Sequence, residues 1–128
     1  MARVQDAYRA GALARWAVEL RATGEFVGWA GLKLNHEPVN GRTDFVDLGY
    51  RLLEPHWGQG YGTEAGRAWL AQGFGALALP LVASYAEATH GASRRILEKV
   101  WLEFINLFDT ADGRPHAWYE APNPARAR

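Results

Sequence analysis

The spacing of apolar positions changes period several times along the chain. Val4–Arg15 is rich in Ala and Arg, with Gly11 as its one strong breaker, and predicts a short helix. From Trp16 the period becomes two: Trp16, Val18 and Leu20 alternate with Ala17, Glu19 and Arg21, as in a half-buried strand. Thr23-Gly24 supplies a reversal. Phe26–Leu34 then reads as the return strand of a hairpin, with Phe26, Ala30, Leu32 and Leu34 on one face and Val27, Trp29 and Lys33 on the other. Asn35–Gly41 is polar and contains Pro38, which cannot donate to a sheet ladder, so a loop is expected there. Within it Asn40-Gly41 suits a type I′ turn. Phe45–Leu53 alternates again, with Val46, Leu48, Tyr50 and Leu52 opposite Phe45, Asp47, Gly49, Arg51 and Leu53; Gly49 marks a bulge or a close backbone approach.

In the second half, Thr63 to about Leu77 carries Gly66, Trp69, Leu70, Gly73 and Leu77 at helical spacing, and Pro80 forbids continuation. Leu81–Ala88 is the next strand, and a strand, helix, strand run of this length predicts parallel neighbours. Gly91–Trp101 is a second helix, its stripe of Ile96, Leu97, Val100 and Trp101 set mostly opposite Arg94, Arg95, Glu98 and Lys99. Leu102–Phe108 and His116–Glu120 form a hairpin across Ala111-Asp112-Gly113, and residues 121–128 are expected to be a mobile tail. The order predicts one α/β domain over residues 1–128 with a mixed, mostly antiparallel sheet and no internal repeat.

Composition narrows the function classes. The chain has 128 residues, 14 Lys+Arg against 14 Asp+Glu, and no Cys. Disulfide frameworks, thiolate zinc sites and thiol nucleophiles are therefore excluded. His36, His56, His90 and His116 lack ligand spacing, so no metal is expected. Zero formal charge without a block of one sign argues against a nucleic-acid partner. The longest apolar stretch, Phe74–Ala83, is broken by Gly75 and Pro80 and falls short of the roughly 20 residues that cross a bilayer, so no membrane partner is expected. The opening MARVQDAYRA lacks the apolar segment of a secretory signal, which points to a cytoplasmic protein.

The chemistry concentrates in Trp57-Gly58-Gln59-Gly60-Tyr61-Gly62-Thr63-Glu64, a glycine-rich turn between a strand and a helix. Successive N–H groups of such a turn can share one concavity, and the helix N-terminus adds partial positive charge, so a phosphate or diphosphate would fit. A turn that merely needs small residues would look the same. A nucleoside-triphosphate P-loop is ruled out, because no Lys lies near the turn. Gly60, Gly62 and Ala65 match the dinucleotide pattern, but Glu87 lies 27 residues after Gly60 rather than about 20, and three antiparallel strands precede the turn.

From Trp16 to Glu120 the chain resembles the GNAT superfamily of acetyl-CoA-dependent N-acetyltransferases, and within it the branch that acetylates ribosomal-protein N-termini. Gly28-Trp29, Leu48-Gly49-Tyr50-Arg51-Leu52, Trp57 to Ala65 and Ala92 to Lys99 carry the resemblance, in that order. It implies a sheet of about six strands whose central parallel pair splays to admit acetyl-CoA, with flanking helices. Tyr50, Arg51 and Leu52 would face the pantetheine arm, and Gln59, Gly60, Tyr61, Gly62 and Thr63 the pyrophosphate. Asp47 would deprotonate a small-molecule or peptide amine, and Ser93, beside the cofactor sulfur, would protonate the thiolate. Tyr85 and Glu87 could line the acceptor cleft, and no metal is required.

The departures from the family pattern matter as much. His90 stands beside the cofactor arm where the family usually has Asn, and Trp101 where a helix-ending Gly is expected. The family's first strand and helix find no counterpart in the roughly 15 residues before Trp16. The Trp16 strand is then a sheet edge, covered by the N-terminal helix or by a second chain in a homodimer. The alternative is a non-catalytic acyl-CoA-binding or dimerisation module.

Overall fold

A computed structural model of the chain describes residues 15–124. The helix expected over Val4–Arg15 lies outside these residues except for Arg15, which opens a strand instead. The elements are β1 (Arg15–Glu19), β2 (Phe26–Asn35), β3 (Phe45–Leu52), a single 3-10 turn (Glu54–His56), α1 (Tyr61–Phe74), β4 (Leu81–Glu87), α2 (Gly91–Lys99), β5 (Glu103–Asp109) and β6 (Pro115–Pro122). They build the expected mixed α/β architecture: one six-stranded sheet in the order β1-β2-β3-β4-β6-β5, with β3 and β4 its parallel pair.

Both helices pack on one sheet face. Val27, Ala30, Leu32, Val46, Leu48 and Val82 from the strands meet Trp69 and Leu70 of α1 and Leu97 of α2 in the main core. The opposite face carries a smaller cluster of Phe45, Ala83 and Trp118, flanked by Tyr85 and Phe108. The loop after β2 closes through Asn40-Gly41, whose flanking residues Val39 and Arg42 exchange two backbone bonds of 2.9 Å, and reaches β5 through Asn40 and Asn106. No helix among the described residues is long and apolar enough to cross a membrane.

Several expectations need correction. Strict alternation placed Phe26 with Ala30 and Leu32, yet Val27 is the fully buried residue and Phe26 stacks edge-on against outward-facing Trp29. A register shift opposite Val18 and Glu19 inserts one residue and inverts the faces upstream. Gly28 permits this, since a Cβ there would lie 2.2 Å from the Arg51 carbonyl oxygen. Helix α1 stops at Phe74 rather than near Leu77, because the Leu79 N–H turns back to the Gly73 carbonyl. Helix α2 ends at Lys99, and Trp101 itself takes the left-handed conformation expected of Gly, at φ 77°. The presumed tail is ordered at its start. Strand β6 runs to Pro122, and the buried Asn123 amide donates to the Phe74 and Leu79 carbonyls.

Candidate active site

Strands β3 and β4 share one ladder position, Asp47 opposite Ala83. Next to it the Ser84 hydroxyl donates to the Leu48 carbonyl at 2.6 Å, and beyond that point the strands have no rung in common. By contrast β2 and β3 stay paired from Asn35–Phe45 to Gly28–Leu52. The parallel pair thus forms a V with Asp47 at its apex, and the β3 edge from Tyr50 onward is left without a β4 partner.

On the helical side the V opens into a cleft of about 560 Å³. Tyr50, Arg51 and Leu52 form its floor; Trp57, Gly58 and Gly60 to Thr63 form one wall; His90, Ala92, Ser93, Arg95, Ile96 and Lys99 form the other. The glycines of the first wall have distinct tasks. Gly60 adopts φ 83°, which costs an L-residue about 1 kcal/mol or more, and no atom lies within 4 Å of where its Cβ would be, so the turn is open on the ligand side. A Cβ on Gly62 or Gly66 would instead press on Ile96 at 3.2 Å or Val100 at 2.8 Å, so these glycines bring α1 close to α2.

Helix α1 has no side-chain cap, and its first backbone bond runs from the Glu64 N–H to the Gly60 carbonyl. The N–H groups of Tyr61, Gly62 and Thr63 precede the internal ladder and lie at the positive end of the helix dipole. Arg95 and Lys99 of α2 line the same cleft, and among the described residues no carboxylate lines it and neither cation joins an ion pair; Arg51 borders the cleft from β3, where alternation sets its side chain on the Asp47 face. Such a site favours an elongated polyanion.

At the inner end, the Tyr50 hydroxyl lies 2.8 Å from the Ser93 carbonyl oxygen and 3.0 Å from Ser93 Oγ. Its single proton goes to the carbonyl, which leaves its oxygen to accept from the Ser93 hydroxyl. Burial pushes the Tyr50 pKa up to about 12 despite the hydrogen bond with Ser93, so the phenol is neutral at ordinary pH. His90 caps α2, with Nδ1 accepting the Ser93 N–H at 3.1 Å.

Most residues singled out in the sequence therefore meet in one cleft: Tyr50, Arg51, Leu52, Gly60, Tyr61, Gly62, Thr63, His90 and Ser93. Gln59 is not among the lining residues, and its amide reaches back to the Pro55 carbonyl at 3.4 Å. Asp47 lies on the other side of the sheet, its carboxylate paired with Arg15. Two Arg15 bonds, to the Gly31 and Asp47 carbonyls at 3.2 and 3.3 Å, lay the guanidinium flat on Gly49. The close approach at Gly49 is thus made by a side chain. Tyr85 and Glu87 share that face, Tyr85 stacked on Trp118 and Glu87 paired with Arg114 at 3.0 Å. Trp57, Arg95 and Lys99 were missed. For Arg95 and Lys99 the signal was the repeat Ala92, Arg95, Ile96, Lys99, which forms a cleft-facing stripe; for Trp57 it was its place at the head of the glycine-rich turn.

The model of the acetyltransferase (GNAT) domain matches residues 1–101. The chain belongs to this GNAT family. The Bacillus subtilis (strain 168) protein YkkB is 33% identical over 105 residues, covering 82% of this chain and 59% of YkkB. The FsC-acetyl coenzyme A-N(2)-transacetylase of Aspergillus fumigatus is 34% identical over 96 residues, 70% of this chain and 41% of that protein. The chain thus spans about half the length of these relatives. The ribosomal-protein-S5-alanine acetyltransferase of Vibrio fischeri superposes with a TM-score of 0.77 over 95% of this chain and 68% of its own, at 13% identity. That likeness shows the fold alone.

Proposed function

We propose that this GNAT domain transfers an acetyl group from acetyl-CoA to a primary amine, which attacks the thioester directly while both reactants are bound. The observation that carries the reading is a cleft with no acid among its described lining residues, where an uncapped helix start and two cations, Arg95 and Lys99, without ion pairs among the described residues adjoin an unpartnered strand edge. These features fit the co-substrate part by part. The α1 amides suit a diphosphate, the β3 edge from Tyr50 to Leu52 offers main-chain groups to the amides of the thiol arm, and the open positions at Gly58 and Gly60 leave room for phosphate oxygens. The name of the Aspergillus relative, an acetyl coenzyme A transacetylase, supports the same choice.

When bound, acetyl-CoA supplies an acetyl carbon activated by a thiolate leaving group. The protein holds the two reactants together, aligns them, and manages two protons. In this reading Ser93 Oγ–H, hydrogen-bonded to the neutral Tyr50 hydroxyl, protonates the thiolate. Asp47, at the apex of the V, takes a proton from an amine arriving on the opposite face once Arg15 yields its place. The acceptor is a small-molecule or peptide amine.

Calorimetric titration with acetyl-CoA tests the first half of the reading. Absence of binding at near-millimolar ligand overturns it. Release of free CoA with a panel of amines tests the second half. A second reading, a non-catalytic acyl-CoA-binding module, is favoured by the pairing of Asp47 with Arg15 and by the lack of a carboxylate among the described residues that line the cleft. It predicts binding without amine-dependent CoA release.

A further inference from the structure

We propose that the acceptor is an amine that carries a carboxylate of its own, as a free α-amino acid does, and that this carboxylate draws Arg15 off Asp47. The proposal rests on the acetyl-transfer reading above, in which Asp47 takes the amine proton, and it names the acceptor class which that reading leaves open.

The two charges at the apex of the V form a closed pair. Asp47 is buried in β3, and Arg15 holds its carboxylate from across β2. A plain amine that reached Asp47 would turn Arg15 out and leave a partly buried guanidinium without its anion. A zwitterion exchanges partners instead: its ammonium meets Asp47, its carboxylate meets Arg15, and no charge is left over. Arg15 suits that exchange. Its Nη1 donates to the Gly31 and Asp47 carbonyls at 3.2 and 3.3 Å, bonds that do not involve the Asp47 carboxylate. They keep the guanidinium flat on Gly49 while Nη2 changes partner. Nε–H has no acceptor among the described residues, so Nε and Nη2 together offer the fork that a carboxylate accepts with both oxygens.

The surrounding charge points the same way. From the apex outward to the level of Arg51, the charged residues of this face on β1 to β4 are Arg15, Lys33 and Arg51 against Asp47 and Glu87. Glu87 is already held by Arg114 at 3.0 Å. Lys33 stands opposite Asp47 on β2, Arg51 stands opposite Trp29, and neither cation joins an ion pair among the described residues. A polyamine would bring further positive charge to a surface with cations in excess. An amino acid brings none. Trp29 is 49% exposed and braced edge-on by Phe26, with ring centres 5.2 Å apart, so it offers a bare ring to the acceptor's side chain. In the transfer the nitrogen gives one proton to Asp47 and sheds a second that ends on the departing sulfur, as a C–N bond replaces the C–S bond. The carboxylate stays on Arg15 throughout.

CoA release from acetyl-CoA with the common L-amino acids, each beside its own amide, and with spermidine tests the class on the unaltered chain. The best amino acid should exceed its amide by roughly 10- to 150-fold in kcat/KM, the worth of hydrogen bonds to a charged group. R15A should abolish that preference and, with Asp47 left open, speed the amide above the parent rate, whereas a merely structural Arg15 would slow both acceptors alike. R15Q, closer in size, should lose the preference in the same way. Amides or spermidine as good as the amino acids, or equal losses for both acceptors in R15A and R15Q, overturn the proposal. If no amine releases CoA, the transfer reading fails, and calorimetry on the chain with saturating CoA decides the proposal separately. Amino acids that bind at least about tenfold more tightly than their amides uphold it, and equal binding overturns it.

Discussion

The two faces of the sheet treat their cations in opposite ways. On the face away from the helices, Arg15 meets Asp47, Arg42 meets Glu120, and Arg114 meets Glu87. In the cleft, Arg95 and Lys99 have no such partner among the described residues. The helix starts differ in the same sense, since α2 is capped by His90 whereas α1 begins with no side chain over its amides. A chain with 14 bases and 14 acids has segregated them, and a formal charge of zero conceals a positive site. Net charge is a fair argument about partners as large as a nucleic acid, and a poor one about a cleft a few residues wide.

The sharpest way to break this contrast is to give the cleft an acid of its own. Thr63 lines the cleft in the first turn of α1. T63E places a carboxylate where the dipole favours one, so the fold should gain about 0.3–1 kcal/mol. The same charge repels a bound diphosphate, and acetyl-CoA affinity should fall by about a hundredfold. Opposite signs in a urea melt and a calorimetric titration are the signature. Unchanged affinity would mean that the α1 amides bind no phosphate.

The opposite face is tested by removing a partner. Asp47 keeps only 10% of its side chain exposed and is satisfied by Arg15, itself 32% exposed. R15A leaves that carboxylate buried without its cation, and stability should fall by about 2 kcal/mol, below the usual range for fully buried pairs because Arg15 is partly wet. D47N in the R15A background should recover part of the loss, and acetyl-CoA affinity should not move. A variant as stable in urea as the parent would show that the pair contributes nothing.

How much of this was legible in the sequence depended on range. The strands, both helices, the Asn40-Gly41 turn and the glycine-rich helix start follow from neighbours along the chain, and their positions agree with the periodicity to within a few residues. The inversion at Val27 escaped because alternation assumes an unbroken ladder, and only the gap in pairing between β1 and β2 reveals the extra residue. The Arg15–Asp47 pair joins residues 32 apart and depends on which face β1 presents across β2, which no local pattern states. Arg95 and Lys99 fall mostly opposite the Ile96 stripe in the helical pattern, which names one buried face, whereas α2 meets the core on one side and the cleft on the next.

A smaller effect distinguishes the Arg42–Glu120 pair. Burial works to raise the Glu120 pKa, but hydrogen bonds from Arg42 and Trp118 outweigh it and hold the carboxyl below its usual range. A depressed folded-state pKa stabilises the fold above the unfolded value, near 4.3, and that stability is lost as pH falls through the folded value. R42A should therefore cost about 0.5–1 kcal/mol at pH 7, discounted for the half-exposed Arg42, and nothing once Glu120 is protonated in both proteins. Urea midpoints at pH 7 and below pH 3 test this, and a cost that persists in acid would assign the Arg42 contribution to packing.

The smallest expected effect concerns a cation answered without any acid. Arg67 donates to the Lys99 carbonyl at 2.9 Å and lies 4.5 Å from the centre of the Trp101 ring. That ring is 64% exposed and is carried on a left-handed residue that closes α2 through bonds from the Trp101 and Leu102 N–H groups to the Glu98 and Leu97 carbonyls. The conformation costs a non-glycine residue about 1 kcal/mol, and an exposed cation–π contact returns about 0.5–1 kcal/mol. W101G should thus change stability by less than about 0.5 kcal/mol, because it relieves the strain and removes the contact together. In an R67A background only the relief remains, so the same substitution should stabilise by about 0.5–1 kcal/mol. If W101G has equal effects in the two backgrounds, Arg67 gains nothing from the ring, and the tryptophan at this helix end is a cost without a return.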